Sequence, residues 1–508
     1  MTHLPRATIV VCVRFLCSAL FLGGLPGCID GNPAFTRALH LSPPVEVGDA
    51  LLFLDSGRHR VTRLHDSGGE IAQDATPLPV TPMAQVLTPD GKALLLLDAA
   101  FEKGHQKLAI FGATGDAELL QFNTAFSGLS LSEDSQTALA FHAPGAAQTG
   151  LVIAAKLALV DLAATPRKVQ TATIAGISTQ PLAAYLTPPL TLPDGTHRLA
   201  WMETTSALGI ADFGPKGTRT LVVPLATAGA AAGIVPKRTL ARVTGSSVNL
   251  YLIATGSNDA VHISIDLAGA DLTVSLDQIA SGPQPTDIAL VDTTAGLRVL
   301  TLHAGAALVS LLDPTTGTGT SIALSTQSRH IQPYLGADGK PHALLWGDNL
   351  AVLQRVDIED IEKKKGKAVH DVTATQGVSQ VTALQNQFLL QHSGSQLSAY
   401  DAENDRMTAL SGMGTVKSVR VLGGAMWVLG AVAGGMRLAR IDLTNLTAQS
   451  MELSLQAGGI TAWGQNGVAL WAAGDGSGTL MALPTGALDT DSAKMLQGFA
   501  LTGATEAP

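Results

Sequence analysis

Eight acidic or imidazole side chains recur along the chain where they could act together: Asp55, Asp98, His142, Glu203, His303, Asp348, His392 and Asp475. Each stands at or just past the end of a short apolar run. Carboxylates and imidazoles gathered round one opening could hold a divalent cation or polarise a carbonyl or lactone. The competing expectation is that Asp and His at such places cap turns and satisfy their own loops. Other chemistry is excluded by the absence of motifs. The chain has no Gly-x-x-x-x-Gly-Lys-Ser/Thr loop, no His-Glu-x-x-His, no EF-hand loop and no Gly-x-Ser-x-Gly. The glycine cluster at 474–478 lies between two apolar runs, where a hairpin loop needs no phosphate. Cys12, Cys17 and Cys28 are the three cysteines, all near the start, so residues 29–508 offer no thiol as nucleophile, zinc ligand or disulfide partner.

The elements that must position these groups are short strands. Runs rich in Val, Ile, Leu and Thr alternate with Gly, Asp, Asn and Pro, and no long helical period interrupts them. A tight polar turn before an apolar strand recurs at Asp90-Gly91, Asp134-Ser135, Asp194-Gly195 and Asp338-Gly339. Weaker copies stand at Gly48-Asp49, Gly245-Ser246, Asp292, Gln385-Asn386, Gly423-Gly424 and Gln465-Asn466. The ten anchors are spaced by about 46 residues on average, within the range of propeller blades. A second phrase, an apolar strand ending in Asp before a small-residue turn, places Asp161, Asp266, Asp313, Asp401 and Asp442 in the same rhythm. Aspartate suits that place because its carboxylate accepts backbone N–H groups two residues on.

Each unit therefore reads as four antiparallel strands. One such sheet cannot bury both faces alone, and stacking in a closed circle covers every face and removes the ends of the stack. The expected fold is all-β, a β-propeller of four-stranded blades over 45–501, as one large ring of about eight to ten units, with two tandem rings as the alternative. Trp201, Trp346, Trp427 and Trp471 fall in second strands and are expected in the core between blades. The charged run at 357–367, DIEDIEKKKGK, is expected to be a solvated insertion. The phrase Thr88-Pro89-Asp90-Gly91-Lys92 and the strand after it resemble the recurrent turn of YVTN-type and WD40-like bacterial propellers, which include the lactonase-like superfamily. That resemblance implies the fold and leaves the activity open.

The first segment reads as an address. Arg6 and Arg14 precede the apolar stretch 15–25, too short for an ordinary membrane span, which ends in Leu25-Pro26-Gly27-Cys28. Leu25, Gly27 and Cys28 resemble the bacterial lipobox, which implies a signal peptide at 1–27, acylation of Cys28, a linker over 28–44 and lasting attachment to the membrane. Ile29 follows Cys28 where an inner-membrane retention signal would have Asp, so the resemblance points to the outer membrane of the cell envelope. Residues 502–508 read as a tail. Losing 1–27 removes two positive charges and takes the formal net charge from -9 to -11, which disfavours nucleic acid as a partner. No cofactor is required by any motif, although a divalent cation at the eight strand exits remains an expectation to examine. Scarce aromatics, five Trp and four Tyr, argue against a sugar-binding platform. Two functional readings follow. The first is a non-enzymatic, lipid-anchored platform for an envelope protein or ligand. The second is a lactonase-like hydrolase or lyase working through an axial His/Asp site.

Overall fold

The computed structural model describes residues 41–499 except 68–69, 143–154, 178–180, 226–234, 364–367, 385–386, 394–395, 411, 465–466, 473–477, 487 and 489–490. The signal segment, Cys28 and the tail lie outside the described residues.

The described strands form ten four-stranded antiparallel units in chain order, spanning 45–77, 82–122, 128–174, 181–224, 235–280, 287–323, 330–374, 378–410, 415–453 and 457–497. Eight of the ten sequence anchors are described, and all eight fall at the turn between the first and second strands of a unit or at the end of the first strand, while Gln385-Asn386 and Gln465-Asn466 lie outside the described residues. The turn chemistry is that of the repeat. Asp90 Oδ1 accepts the Lys92 N–H at 3.1 Å, and Thr88 Oγ1 accepts the Ala93 N–H at 2.9 Å. The third blade repeats both bonds, with Asp134 taking the Gln136 N–H at 3.1 Å and Ser132 the Thr137 N–H at 3.0 Å. Gly91 has φ +69° in this turn and Ser135 holds the same left-handed place at φ 61°. A serine there is tolerated at a cost glycine escapes, which explains why the third copy is harder to read. The third-strand aspartates also act as expected. Asp161, Asp266, Asp313, Asp401 and Asp442 each accept the backbone N–H two residues on, at 2.8–3.1 Å.

Second and third strands carry the core. Ala50–Asp55 is buried at every position, which a strand between two neighbouring sheets requires and a half-solvated strand would not permit. Ten clusters of buried apolar side chains lie one between each pair of successive blades, and the tenth joins the last blade to the first. An open stack of ten sheets would have nine interfaces, so the chain is one closed ring of ten blades. Trp427 is fully buried between the ninth and tenth blades, and Trp201, Trp346 and Trp471 also join these inter-blade clusters.

Two junctions differ from the rest. The strand Val369–Leu384 pairs first with the seventh blade and then with the eighth, so these two sheets share one continuous strand. Gly377 sits at the changeover, where a Cβ would meet the Asn349 carbonyl oxygen at an impossible separation, so only glycine fits. At the closing junction each blade is complete in itself. The seam is therefore held mainly by side chains: Leu51, Phe53 and Leu64 pack on Trp463, Leu480 and Phe499, with the Phe53 and Phe499 rings 4.7 Å apart.

The charged run departs from expectation. Asp357 ends a strand, Ile358–Glu362 forms a five-residue helix, and Ile358 and Ile361 are fully buried in the cluster between the sixth and seventh blades. The two isoleucines, three apart, lie on one helical face, so the insertion is half core rather than wholly solvated.

Removing the seam ring by Phe499→Ala should lower the unfolding free energy by about 3–5 kcal/mol in a urea titration, whereas Leu335→Ala at an exposed site should change it by less than about 0.5 kcal/mol. Equal effects of the two substitutions would show that the seam carries no special share of the closure.

Candidate functional site

Successive antiparallel strands place all first and third turns at one end of the ring, called here the turn face. The exits of the second strands and the connections between blades lie at the other, the exit face. First strands of neighbouring blades adjoin one another around the circle, so they form the wall of the central channel. Their free edges show it: Pro82, Pro181, Pro236 and Pro333 lie in first strands, where a missing N–H is tolerated on an unpaired edge.

Seven of the eight sequence-selected groups are described, and all seven stand at or near second-strand exits; Asp475 lies outside the described residues. Six of the seven are buried, and Asp348 is exposed. Asp55, Asp98, His303, Asp348 and His392 bond to their own blade or to the segment leading into it, whereas Glu203 reaches Thr239 of the next blade. Asp98 Oδ1 accepts the N–H groups of Thr81 and Ala100 at 3.0 and 3.2 Å. Asp55 Oδ1 accepts the Arg58 N–H at 3.2 Å and its other oxygen lies 3.6 Å from the Arg60 guanidinium. His303 and His392 are built alike. In each, Nδ1 donates to a carbonyl of the incoming segment, Pro283 at 3.2 Å and Gln376 at 3.1 Å, which leaves Nε2 as the acceptor. Nε2 of His392 accepts from Ser398 Oγ at 2.7 Å, and that of His303 from Thr301 Oγ1 at 3.1 Å. Asp348 Oδ1 accepts from His330 Nε2 at 2.8 Å. His142 stacks on Phe126 with centroids 5.6 Å apart. Glu203 stands beside Thr239 of the next blade, and burial pushes its carboxyl above the usual range. Among the described residues no three His, Cys, Asp or Glu side chains lie close enough to hold a metal ion.

Burial also pushes the imidazoles of His142 and His303 below the ordinary histidine range, so both favour the neutral form. A neutral ring that donates from Nδ1 and accepts at Nε2 has both nitrogens in use within the blade. Asp55, Asp98, His303 and His392 thus fasten the loops around them.

Sequence reasoning missed the partners of these fasteners. Gln106 on a third strand bonds the Asp98 and Phe126 carbonyls at 2.7 and 2.8 Å and accepts the Phe126 N–H at 2.7 Å. Ser398 is a further buried polar residue in an otherwise apolar third strand, and that interruption is the signal in the sequence that marks it. Also missed was His197, clamped between Asp194 at 2.9 Å and Asp212 at 3.0 Å, with Arg219 closing on Asp212 at 2.7 Å. His342 repeats the arrangement with Asp357 at 2.7 Å. Asp212 and Asp357 occupy the place of the recurrent third-strand aspartate, but their carboxylates take a histidine in these two blades.

The channel wall has a different character. Among the described residues, six of the eleven large apolar side chains that stand exposed lie on first strands: Met83, Leu87, Tyr185, Val243, Leu335 and Val421. All but Met83 occupy the last or next-to-last place of their strand, at the turn-face mouth. Exposed cations share the wall. Arg238 and Arg242 pair with Asp287 and Asp292 of the next first strand, while Lys237, Lys417 and Arg420 have no acidic partner among the described residues.

No protein-family model matches the chain, and no curated protein matches it. Among solved structures the chain is similar to dihydro-heme d1 dehydrogenase NirN in complex with DHE, at 10% identity over 88% of this chain and 85% of that one, with a TM-score of 0.42. It is also similar to AztD of Citrobacter koseri, at 12% identity over 72% and 95% with a TM-score of 0.39. A third likeness is to virginiamycin B lyase of Staphylococcus aureus, at 12% identity over 57% and 96% with a TM-score of 0.32. The assignment as a β-propeller rests on the ten sheets and ten interfaces of the chain itself.

Because the folded state holds His303 neutral, the unfolded chain binds more protons below the ordinary histidine pKa of about 6.5. Stability should fall as pH drops through that value toward the lower folded pKa. His303→Gln should flatten this dependence when urea midpoints at pH 7.5 and 5.5 are compared with the parent protein; an unchanged slope would mean that His303 is not held neutral. Gln106→Leu, which strands the buried Phe126 amide and carbonyl, should cost about 1–3 kcal/mol in the same assay at either pH.

Proposed function

We propose that the chain is an envelope lipoprotein, tethered through acylated Cys28, that acts as a non-enzymatic platform. Its partner docks at the turn-face mouth of the channel. The observation that carries this reading is the concentration of exposed apolar side chains at that mouth, with Leu335 62% exposed. Single exposed apolar residues are ordinary, but a set gathered on the inner wall of one ring is the mark of a contact surface. The exposed Arg420, next to Val421 near the same mouth and with no acidic partner among the described residues, suits a protein segment that presents apolar side chains flanked by acidic ones. A hydrolase or lyase working through the strand exits would need imidazoles free to move protons. The hydrogen bonds of His303 and His392 are already spent on the chain around them.

The test uses the full-length protein in its own envelope. Cys28→Ala should release it from the outer-membrane fraction. A photo-crosslinking side chain at Leu335 should capture a partner that one at Leu119, exposed on an outer strand, does not capture. Leu335→Asp or Arg420→Glu should weaken that contact about tenfold or more. Equal capture from both positions, or turnover of a lactone or ester that is lost with His303→Gln, would overturn the proposal.

A further inference from the structure

The seam between the last and first blades opens on the turn face as a cleft of about 990 Å³, near the upper end of the size of small-molecule sites. Its origin lies in short strands. The first strand of the ring, Val45–Val47, has three residues, and the last, Lys494–Gln497, has four. The third strand of the tenth blade runs on to Leu483 and Pro484, beyond its last pairing with the fourth at Ala482 and Lys494. The layer that fills other interfaces therefore stops short here, and the space it leaves is the cleft.

The lining has a definite chemistry. Four carboxyl groups, Glu46, Asp49, Asp66 and Asp90, face two ammonium groups, Lys92 and Lys494, for a net charge of two negative. Lys92 pairs with Asp90 at 3.5 Å. Glu46 is partly buried and accepts the Gly464 N–H, and burial raises its carboxyl above the usual range, the expected condition of a carboxylate awaiting a cation. Trp463 lines the same cleft, is 8% exposed, and its buried indole N–H has no hydrogen-bond partner. An indole N–H left without an acceptor is costly. Ile71, Leu483 and Pro484 add apolar wall.

We propose that the seam cleft is a binding site for a small organic amine whose ammonium group meets Glu46 and Asp49, whose apolar body lies along Trp463 and Leu483, and which carries an oxygen that accepts the Trp463 indole N–H. This site lies beside the channel mouth, with Glu46 and Trp463 at the next-to-last and last places of their first strands, and it stands on the lining of the cleft rather than on the platform reading.

Phenylalaninamide supplies the three features and N-acetylphenylalaninamide removes only the charge, so the pair is the probe. Titrated into the full chain and followed by tryptophan fluorescence and calorimetry, phenylalaninamide should saturate, and the acetylated form should bind at least about tenfold more weakly. Asp49→Asn, at an exposed turn where folding is not at stake, and Glu46→Gln should each weaken the amine about tenfold and leave the thermal midpoint unchanged. Trp463→Phe should remove the fluorescence response and weaken binding several-fold. Absence of saturation, equal binding of the charged and acetylated probes, or an affinity indifferent to both Asp49→Asn and Glu46→Gln would overturn the assignment.

Discussion

Every feature of this chain follows from the need of a four-stranded sheet to cover two apolar faces at once. The second and third strands of a blade are buried on both sides, so no blade can be terminal without exposing a face the size of its core. Closure answers that need only if the last face meets the first, and in this ring it does so through Phe53, Trp463 and Phe499. Neither end strand crosses into the other blade. Direct side-chain packing supplies most of what a shared strand would otherwise contribute, and the one strand shared between blades among the described residues, Val369–Leu384, lies elsewhere in the circle.

Ring size has its own consequence. Ten blades hold their inner strands farther from the axis than the four to eight of ordinary propellers, so those strands cannot fill the centre with their own side chains. Inner-strand residues then stand in an open channel, and their chemistry is released from packing. Tyr185, Val243, Leu335 and Val421 are exposed for this reason, although the same residue types in second strands are mostly buried.

The architecture was legible because its turns obey local rules. Asp-Gly and the third-strand aspartates bond within two to five residues, so their spacing in sequence is their spacing in space. The four strands per unit and the position of the strand exits could be read from that rhythm, whereas the number of units stayed at about eight to ten and one ring against two stayed open. That exit residues satisfy their own loops was one of the two expectations, but which groups they fasten could not be read, because the partner of each is distant or unmarked: Gln376 for His392, Pro283 for His303, Thr81 for Asp98. His197 and Asp212 were hidden for the same reason, being fifteen residues apart on paired strands with no turn phrase to join them. Ile358 and Ile361 were masked by the charges around them, since a short run rich in Lys and Glu hides a two-residue apolar face.

Topology explains why polar groups gather at strand exits without forming a common site. The connection between blades leaves an outer strand and returns to the next inner strand, passing over the exit ends of the second and third strands. Its backbone N–H and C=O groups are covered there and must be paired. A carboxylate serves where an N–H is left over, as at Thr81, and an imidazole N–H where a carbonyl is left over, as at Pro283 and Gln376. The recurrence of Asp and His at one end of the ring is thus a repeated answer to a repeated backbone problem. Surfaces with no such obligation, the channel wall and the unfilled seam, are where this fold leaves side chains available to a ligand.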